Sequence, residues 1–116
     1  MQNKNEITLE TQGSVVVFNV QGDITSFSEP YLNAAYEEVN SKGLRKIVLN
    51  VSDGTYINSG GIAVLIQILA KSQKNKQQIS ITGLSDHFKK IFNMVGITKF
   101  AHLHDEVGQA ITAMSA

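Results

Sequence analysis

The 116 residues include ten basic and ten acidic side chains and no cysteine, and we expect the charge to be scattered. This length fits one domain, residues 1–116, with a modest core. The balanced charge argues against a nucleic-acid surface or a polybasic membrane surface, and the lack of cysteine excludes disulfides and thiolate metal sites. The polar N-terminus is unlike a signal peptide, and the longest apolar run, residues 62–70, is shorter than the roughly 20 residues of a membrane span. We therefore expect a cytoplasmic protein without direct membrane insertion.

The first elements are predicted to form a β-hairpin. Residues 7–9 and 14–20 are rich in β-branched and apolar side chains, which favour strands. Gln12-Gly13 between them suits a tight turn. Residues 22–25 end the second strand.

A helix is predicted to follow the hairpin. It begins between Ser26 and Pro30, because Ser26 and Glu29 have the spacing of a capping box and proline is tolerated in a first helical turn. Ser41-Lys42-Gly43 ends it, since glycine readily adopts the left-handed conformation of a helix end. Apolar residues at helical spacing predict its inward face: Tyr31, Ala34, Ala35 and Val39, with Leu32 and Tyr36 beside them.

The stretch Tyr56-Ile57-Asn58-Ser59-Gly60-Gly61 lies between a predicted buried strand and a predicted buried helix. Residues 46–51 have a continuous apolar centre, which is typical of a strand covered on both faces. The apolar run after the stretch predicts a helix to about Lys74, with both Leu65 and Ile66 buried.

Two residues of this stretch are placed to cap the helix. Asn58 or Ser59 can accept helix N–H groups through a side-chain oxygen, and Gly60 and Gly61 leave the cap open to another molecule. A hydroxyl here is also well placed to carry a phosphate, because helix amides and the helix dipole favour an anion. From these residues alone, the simpler interpretation is that Ser59 is only an N-cap.

The last third of the chain completes an alternating pattern. Residues 78–82 predict a strand, Ser85 caps a helix that ends at Gly96, residues 98–103 are extended, and a last helix opens at Asp105-Glu106. The inward residues of the helix after Ser85 are Phe88, Ile91, Phe92 and Val95. The element order β-β-α-β-α-β-α-β-α predicts one layered α/β domain, a small mixed sheet with about four helices.

Sequence motifs of common enzyme sites are absent. The chain has no P-loop, no dinucleotide-binding fingerprint and no nucleophile elbow. His87 falls on the polar side of a helix, and His102 and His104 lack an evident third metal ligand, so surface histidines are the favoured interpretation. Asp53 near Ser59 most simply caps its own turn, and the Phe and Tyr residues sit at core periodicity. We predict no enzyme activity and no cofactor or metal.

The order of elements and several segments resemble the STAS domain family, in particular the single-domain bacterial anti-sigma factor antagonists. Gly22-Asp23-Ile24-Thr25 resembles the family's segment at the end of the second strand, and residues 46–51 resemble its buried third strand. Residues 56–64 resemble its Asp-Ser-Ser/Thr-Gly-Leu-Gly turn, and residues 88–97 resemble its helix that ends in Gly-Leu. The likeness covers nearly the whole chain.

Three residues depart from the family pattern. Asn58 stands where the family usually has Asp, which keeps the hydrogen-bonding shape without the charge. Thr25 stands where another Asp is common. Gly60 replaces Ser or Thr, so Ser59 is the only hydroxyl in the turn itself.

The resemblance implies a phosphorylation switch. In such antagonists the serine after the turn's Asp is phosphorylated by a partner that is both an anti-sigma factor and a serine kinase with a histidine-kinase-like ATPase fold. A PP2C-type phosphatase reverses the modification. Unphosphorylated antagonist binds the kinase and frees the sigma factor, and by position the serine is Ser59. The partner-binding residues implied by the resemblance are Asp23, Thr25, Asn58, Ser59, Gly60, Gly61 and Ile62.

Two other classes of function stay open. A STAS subunit of a larger assembly, such as a signalling scaffold or a lipid-transport complex, would use Ser59 only as a cap. A small hydrolase with Ser59 as nucleophile ranks last, because no histidine is placed beside it by the sequence.

Overall fold

The computed structural model describes residues 5–115, which begin with a β-hairpin. Strands β1 (Glu6–Gln12) and β2 (Val15–Gln21) pair antiparallel, with Gln12 opposite Val15. The loop is Gly13-Ser14, one residue later than predicted, and Gly13 has a φ of 61°, as at the first central position of a type II′ turn. β1 is longer than the predicted residues 7–9 because its polar residues also pair with β2.

The hairpin forms one side of a five-stranded sheet in the order β1-β2-β3-β4-β5. β3 (Lys46–Val51), β4 (Gln78–Thr82) and β5 (His102–His104) run parallel to β2. The predicted mixed sheet and element order are confirmed. The predicted extended piece at residues 98–103 is partly wrong, because residues 97–99 form a 3₁₀ turn and the strand begins only at His102.

Within residues 5–115, four α-helices cover the two faces of this sheet. α1 (Glu29–Ser41), α2 (Ser59–Lys74) and α3 (Asp86–Met94) pack on one face, and α4 (Val107–Ser115) packs on the other. None of these helices is both long and apolar enough to span a bilayer.

The apolar core therefore has two parts, and β3 contributes to both. Ile47 and Leu49 pack with residues of α1, α2 and α3, whereas Val48 packs with Ala110 and Met114 of α4. Alternate residues of a strand point to opposite faces of the sheet. β3 is thus buried on both faces, as its continuous apolar sequence predicts.

The start of α1 lies inside the predicted interval, but its capping differs. Thr25 and Ser28 form the capping box, around a single 3₁₀ turn that precedes the helix. The predicted box of Ser26 and Glu29 is wrong, because Glu29 is already the first residue of α1.

Several apolar residues that periodicity assigned to the core are exposed. They are Tyr31 and Ala34 on α1, Ile66 on α2, and Val95 just after α3. Phe27, Tyr56 and Phe100 are also exposed, so the aromatic residues do not all belong to the core. The physical reason is that the sheet and its neighbouring helices cover only part of each helix. Periodicity identifies an apolar face but does not supply a layer to bury all of it.

Candidate functional site

The candidate site is built on two loops that are hydrogen-bonded to each other. Ile24, after β2, donates its N–H to the carbonyl of Tyr56 at 2.9 Å and accepts from the N–H of Asn58 at 3.2 Å. Ile24 and Ile57 thereby form a short parallel bridge beyond the ends of β2 and β3. The N–H of Tyr56 donates to Asp23 Oδ1 at 3.1 Å. The loops thus continue the β2–β3 pairing, and Asp23 has a structural role within it.

The second loop ends in the cap of α2. Asn58 is the N-cap, and its Oδ1 accepts from the N–H of Gly61 at 2.8 Å. This decides between the two predicted caps. Ser59 is the first residue of the helix and is exposed, and its hydroxyl has no hydrogen-bond partner among residues 5–115. The simpler interpretation of Ser59 as the N-cap is therefore wrong.

The two glycines after Ser59 serve contacts within the chain. A Cβ on Gly61 would lie 2.0 Å from the carbonyl oxygen of Ile24, so only glycine fits there. A Cβ on Gly60 would lie 3.1 Å from both the Cβ and the N of Ser26. The prediction that these glycines leave the cap open is therefore wrong for Gly61, which is buried against the loop after β2.

The loop after β2 is held by its own capping bonds. Thr25 Oγ1 accepts from the N–H of Phe27 at 3.1 Å, and the N–H of Thr25 donates to Ser28 Oγ at 2.9 Å. Ser28 Oγ in turn donates to the carbonyl of Asp23 at 3.3 Å. These bonds fix the turn that presents Phe27 to solvent. Thr25 thus caps the turn that precedes α1.

Two exposed aromatic side chains lie on these two loops, which meet at the start of α2. Phe27 is 59% exposed and Tyr56 is 57% exposed, and the ring of Tyr56 meets Phe88 edge to face at 5.9 Å between centroids. Ile62, one turn after Ser59, is half-buried. We call Phe27, Tyr56, Ser59 and Ile62 the Ser59 surface. Sequence reasoning missed both aromatic residues, although Phe27 sits between two serines and Tyr56 lies in a turn.

The shifted titratable groups, Lys89 and Asp105, are not part of this surface. Lys89 of α3 donates a hydrogen bond to Asp105, which raises the pKa of Lys89 and lowers the pKa of Asp105 from their usual values. Both groups are at the solvent-exposed surface, so we assign this pair no role in function.

The three histidines do not form a metal site. Among residues 5–115, no three or more His, Asp or Glu side chains are grouped so that they could hold a metal ion. His87 and His102 are exposed and His104 is half-buried. The exposed Asp53 lies in the turn after β3, and its capping of that turn stays a prediction.

The sequence model of the STAS domain family matches residues 6–110. This chain belongs to the STAS domain family. The anti-sigma-B factor antagonist of Staphylococcus aureus (strain NCTC 8325 / PS 47) is 23% identical over 99 residues, which are 85% of this STAS domain and 92% of the relative. The anti-sigma-B factor antagonist of Staphylococcus epidermidis is 20% identical over 86 residues, covering 74% and 80% of the two chains.

Solved structures share the STAS fold at lower identity. An anti-sigma factor antagonist from Mycobacterium paratuberculosis superposes with a TM-score of 0.82 at 20% identity, covering 97% of this chain and 96% of the other. The Bacillus cell fate determinant SpoIIAA in its phosphorylated form gives a TM-score of 0.66 at 13% identity, covering 94% and 99%. These likenesses confirm the fold.

Proposed function

We propose that this STAS domain is an anti-sigma factor antagonist whose binding is switched by phosphorylation of Ser59. The observation that carries the proposal is the exposed hydroxyl of Ser59, unbonded within residues 5–115, at the start of α2 where the two loops with exposed aromatic rings meet. The domain's similarity to the anti-sigma-B factor antagonists of Staphylococcus supports the proposal. So does the existence of a phosphorylated form of SpoIIAA, which has the same fold.

The partner in this proposal is an anti-sigma factor that is also a serine kinase with a histidine-kinase-like ATPase fold. It binds the Ser59 surface of the unphosphorylated chain in the cytoplasm, and the bound partner releases its sigma factor. A PP2C-type phosphatase restores the hydroxyl. In this role the domain is a binding protein and not an enzyme.

The fold can accept a phosphate on Ser59 because of its position. A phosphate adds about −1.5 to −2 charges at pH 7. The first-turn amides of a helix and its dipole favour an anion. The side chain of Asn58 takes up only the N–H of Gly61 among these amides. The stability of the domain should therefore change little on modification.

Asn58 favours this arrangement as well. Its Oδ1 supplies the acceptor that a carboxylate oxygen would supply at the N-cap. An uncharged side chain next to Ser59 also avoids the repulsion that a carboxylate would exert on a phosphate. The Asn in place of the family's usual Asp is thus compatible with phosphorylation.

The affinity of the partner, in contrast, should depend on the added charge. To cover Phe27 and Tyr56 it must exclude water from the neighbouring Ser59, and a dianion there resists loss of its hydration. A loss of about 3 kcal/mol of binding free energy would reduce affinity about a hundredfold.

Ser59→Asp is expected to weaken binding to the kinase by about tenfold to a hundredfold, whereas Ser59→Ala is expected to bind as the wild type does. The kinase is first captured from cells that express the protein, with the unmodified domain as bait, and is identified by mass spectrometry. Affinities are then measured by calorimetry with purified proteins.

Thr112→Asp is the matched control, because Thr112 is exposed on α4, on the opposite face of the sheet. It should bind like the wild type. Equal affinity of the wild type and Ser59→Asp would rule out the switch. Capture of membrane transporter subunits instead of a kinase would favour a non-switching STAS subunit.

A further inference from the structure

A groove of about 700 Å³ runs between β1 and α1, at the edge of the sheet. Its lining includes Ile7, Leu9, Tyr31, Ala34, Ala35 and Glu38. Tyr31 and Ala34 are the α1 residues that periodicity assigned to the core and the structure leaves exposed. The apolar stripe of α1 thus continues past the core and forms one wall of this groove.

The other wall is a strand whose outer edge has no strand beside it among residues 5–115. β1 is the first strand in the sheet order and is seven residues long, whereas β5 at the opposite edge has three residues. In a two-residue hairpin, the residues that flank the loop form a hydrogen-bonded pair. Gln12 and Val15 are that pair, so Ile7, Leu9 and Thr11 direct their N–H and C=O groups outward. This edge can therefore pair with a further strand.

Strand β1 and helix α1, which form the groove, carry five acidic side chains and no basic ones, although Lys42 just after α1 pairs with Glu38. Residues 5–41 contain six acidic side chains and no Lys or Arg, whereas residues 42–115 contain nine basic and four acidic side chains. The expectation of scattered charge is therefore wrong. Glu38 lines the groove, where its exposed carboxylate lies 3.5 Å from Lys42, and Glu6 and Glu10 alternate with Ile7 and Leu9 along β1.

We propose that the outer edge of β1 binds an extended segment of a partner protein in which apolar and basic residues alternate. Its backbone pairs with Ile7, Leu9 and Thr11, as in β-strand addition. On one face its apolar side chains enter the groove, and on the other its Lys or Arg side chains lie beside Glu6 and Glu10.

A second copy of the chain is a poorer occupant than such a segment. Antiparallel pairing of two β1 strands would place Glu6 and Glu10 of one copy near the same residues of the other, and like charges opposite each other destabilise a sheet. The proposal does not depend on Ser59 or on its phosphorylation.

The test is an NMR titration of the ¹⁵N-labelled full chain with a capped heptapeptide that alternates lysine and valine. We expect shift changes that saturate, and slower amide exchange at Ile7, Leu9 and Thr11. A peptide that alternates glutamate and valine should bind at least about tenfold more weakly. Equal binding of both peptides, or shift changes confined to the Ser59 surface, would overturn the proposal.

Single substitutions test whether the peptide binds at the outer edge of β1. Ala34→Lys adds length and a positive charge at the exposed wall of the groove and should weaken binding at least about tenfold. Ala113→Lys makes the same change at an exposed position of α4 and should leave it unchanged. Ser59→Asp should also bind the peptide like the wild type. The peptide experiment therefore tests the β1 edge independently of the proposed phosphorylation switch. Unchanged binding by Ala34→Lys, or dimers of the free chain that the peptide disperses, would contradict the proposal.

Discussion

Leu65→Asp is expected to unfold the chain, whereas Ile66→Asp at the next position is expected to leave it folded. Leu65 is 2% exposed in the core between α2 and the sheet, and Ile66 is 45% exposed. A buried carboxylate without a partner costs several kcal/mol, against a total stability of roughly 5–15 kcal/mol for a domain. Ile66→Asp loses only partial burial and should cost about 1 kcal/mol. Thermal and urea denaturation followed by circular dichroism measure both effects.

This pair of variants separates the sequence prediction from the structure. The apolar run alone predicts that both substitutions unfold the chain, because both residues belong to it. If Leu65→Asp melts cooperatively near the wild-type temperature, the buried face of α2 is assigned wrongly. If Ile66→Asp also unfolds, the side chain of Ile66 is buried in solution.

Gly61→Ala is expected to cost about 3 kcal/mol or more of the free energy of unfolding. The added Cβ would lie 2.0 Å from the carbonyl oxygen of Ile24, a backbone atom that can move only if the paired loops separate. The measurement is chemical denaturation, and the NMR shifts of Ile24 and Asn58 should change more than those of α4.

Gly108→Ala is the matched control for Gly61→Ala. Gly108 lies near the start of α4, and nothing is within 4 Å of an added Cβ there. Alanine should therefore stabilise the chain by up to about 1 kcal/mol, since it restricts the unfolded chain more than glycine does. If both variants have wild-type stability, the close contact between α2 and the loop after β2 does not hold in solution.

The elements whose bounds were predicted best are those with a clear apolar segment or cap residue in their own sequence. β3 occupies the predicted residues 46–51, because an uninterrupted apolar segment between polar residues has few alternatives to a central strand. α2 ends at Lys74 as predicted, and α3 begins after its predicted cap, Ser85. These bounds depend on the residues of the element itself and on its immediate neighbours.

The features that sequence missed depend on contacts between distant residues. The residues that flank Gly61 in sequence do not indicate that the carbonyl of Ile24 lies against it. The exposure of Ile66 likewise depends on where the sheet and α3 end. Periodicity ranks the positions around a helix by polarity, but neighbouring elements decide how many of them are covered.

For the candidate site, sequence located part of the surface but neither its exposed aromatic residues nor all of the roles. Asn58 and Ser59 lie at the helix start as the resemblance implies. Their division into a capping amide and an exposed hydroxyl required coordinates. Of the two residues expected to bind a partner at the end of β2, Asp23 joins the loops through Tyr56, and Thr25 bonds Ser28 within its own loop.

The bridge between Ile24 and Ile57 also limits what can serve as a substrate for an enzyme that modifies Ser59. Because each loop is bonded to the other, the acceptor serine is not part of a segment that can detach and enter an active-site cleft as an extended peptide. In the proposed switch, the kinase would therefore recognise the assembled surface, with Phe27 contributed from a separate part of the chain. A short synthetic peptide around the serine would lack both that shape and that ring, so selectivity would reside in the three-dimensional epitope and not in a linear consensus.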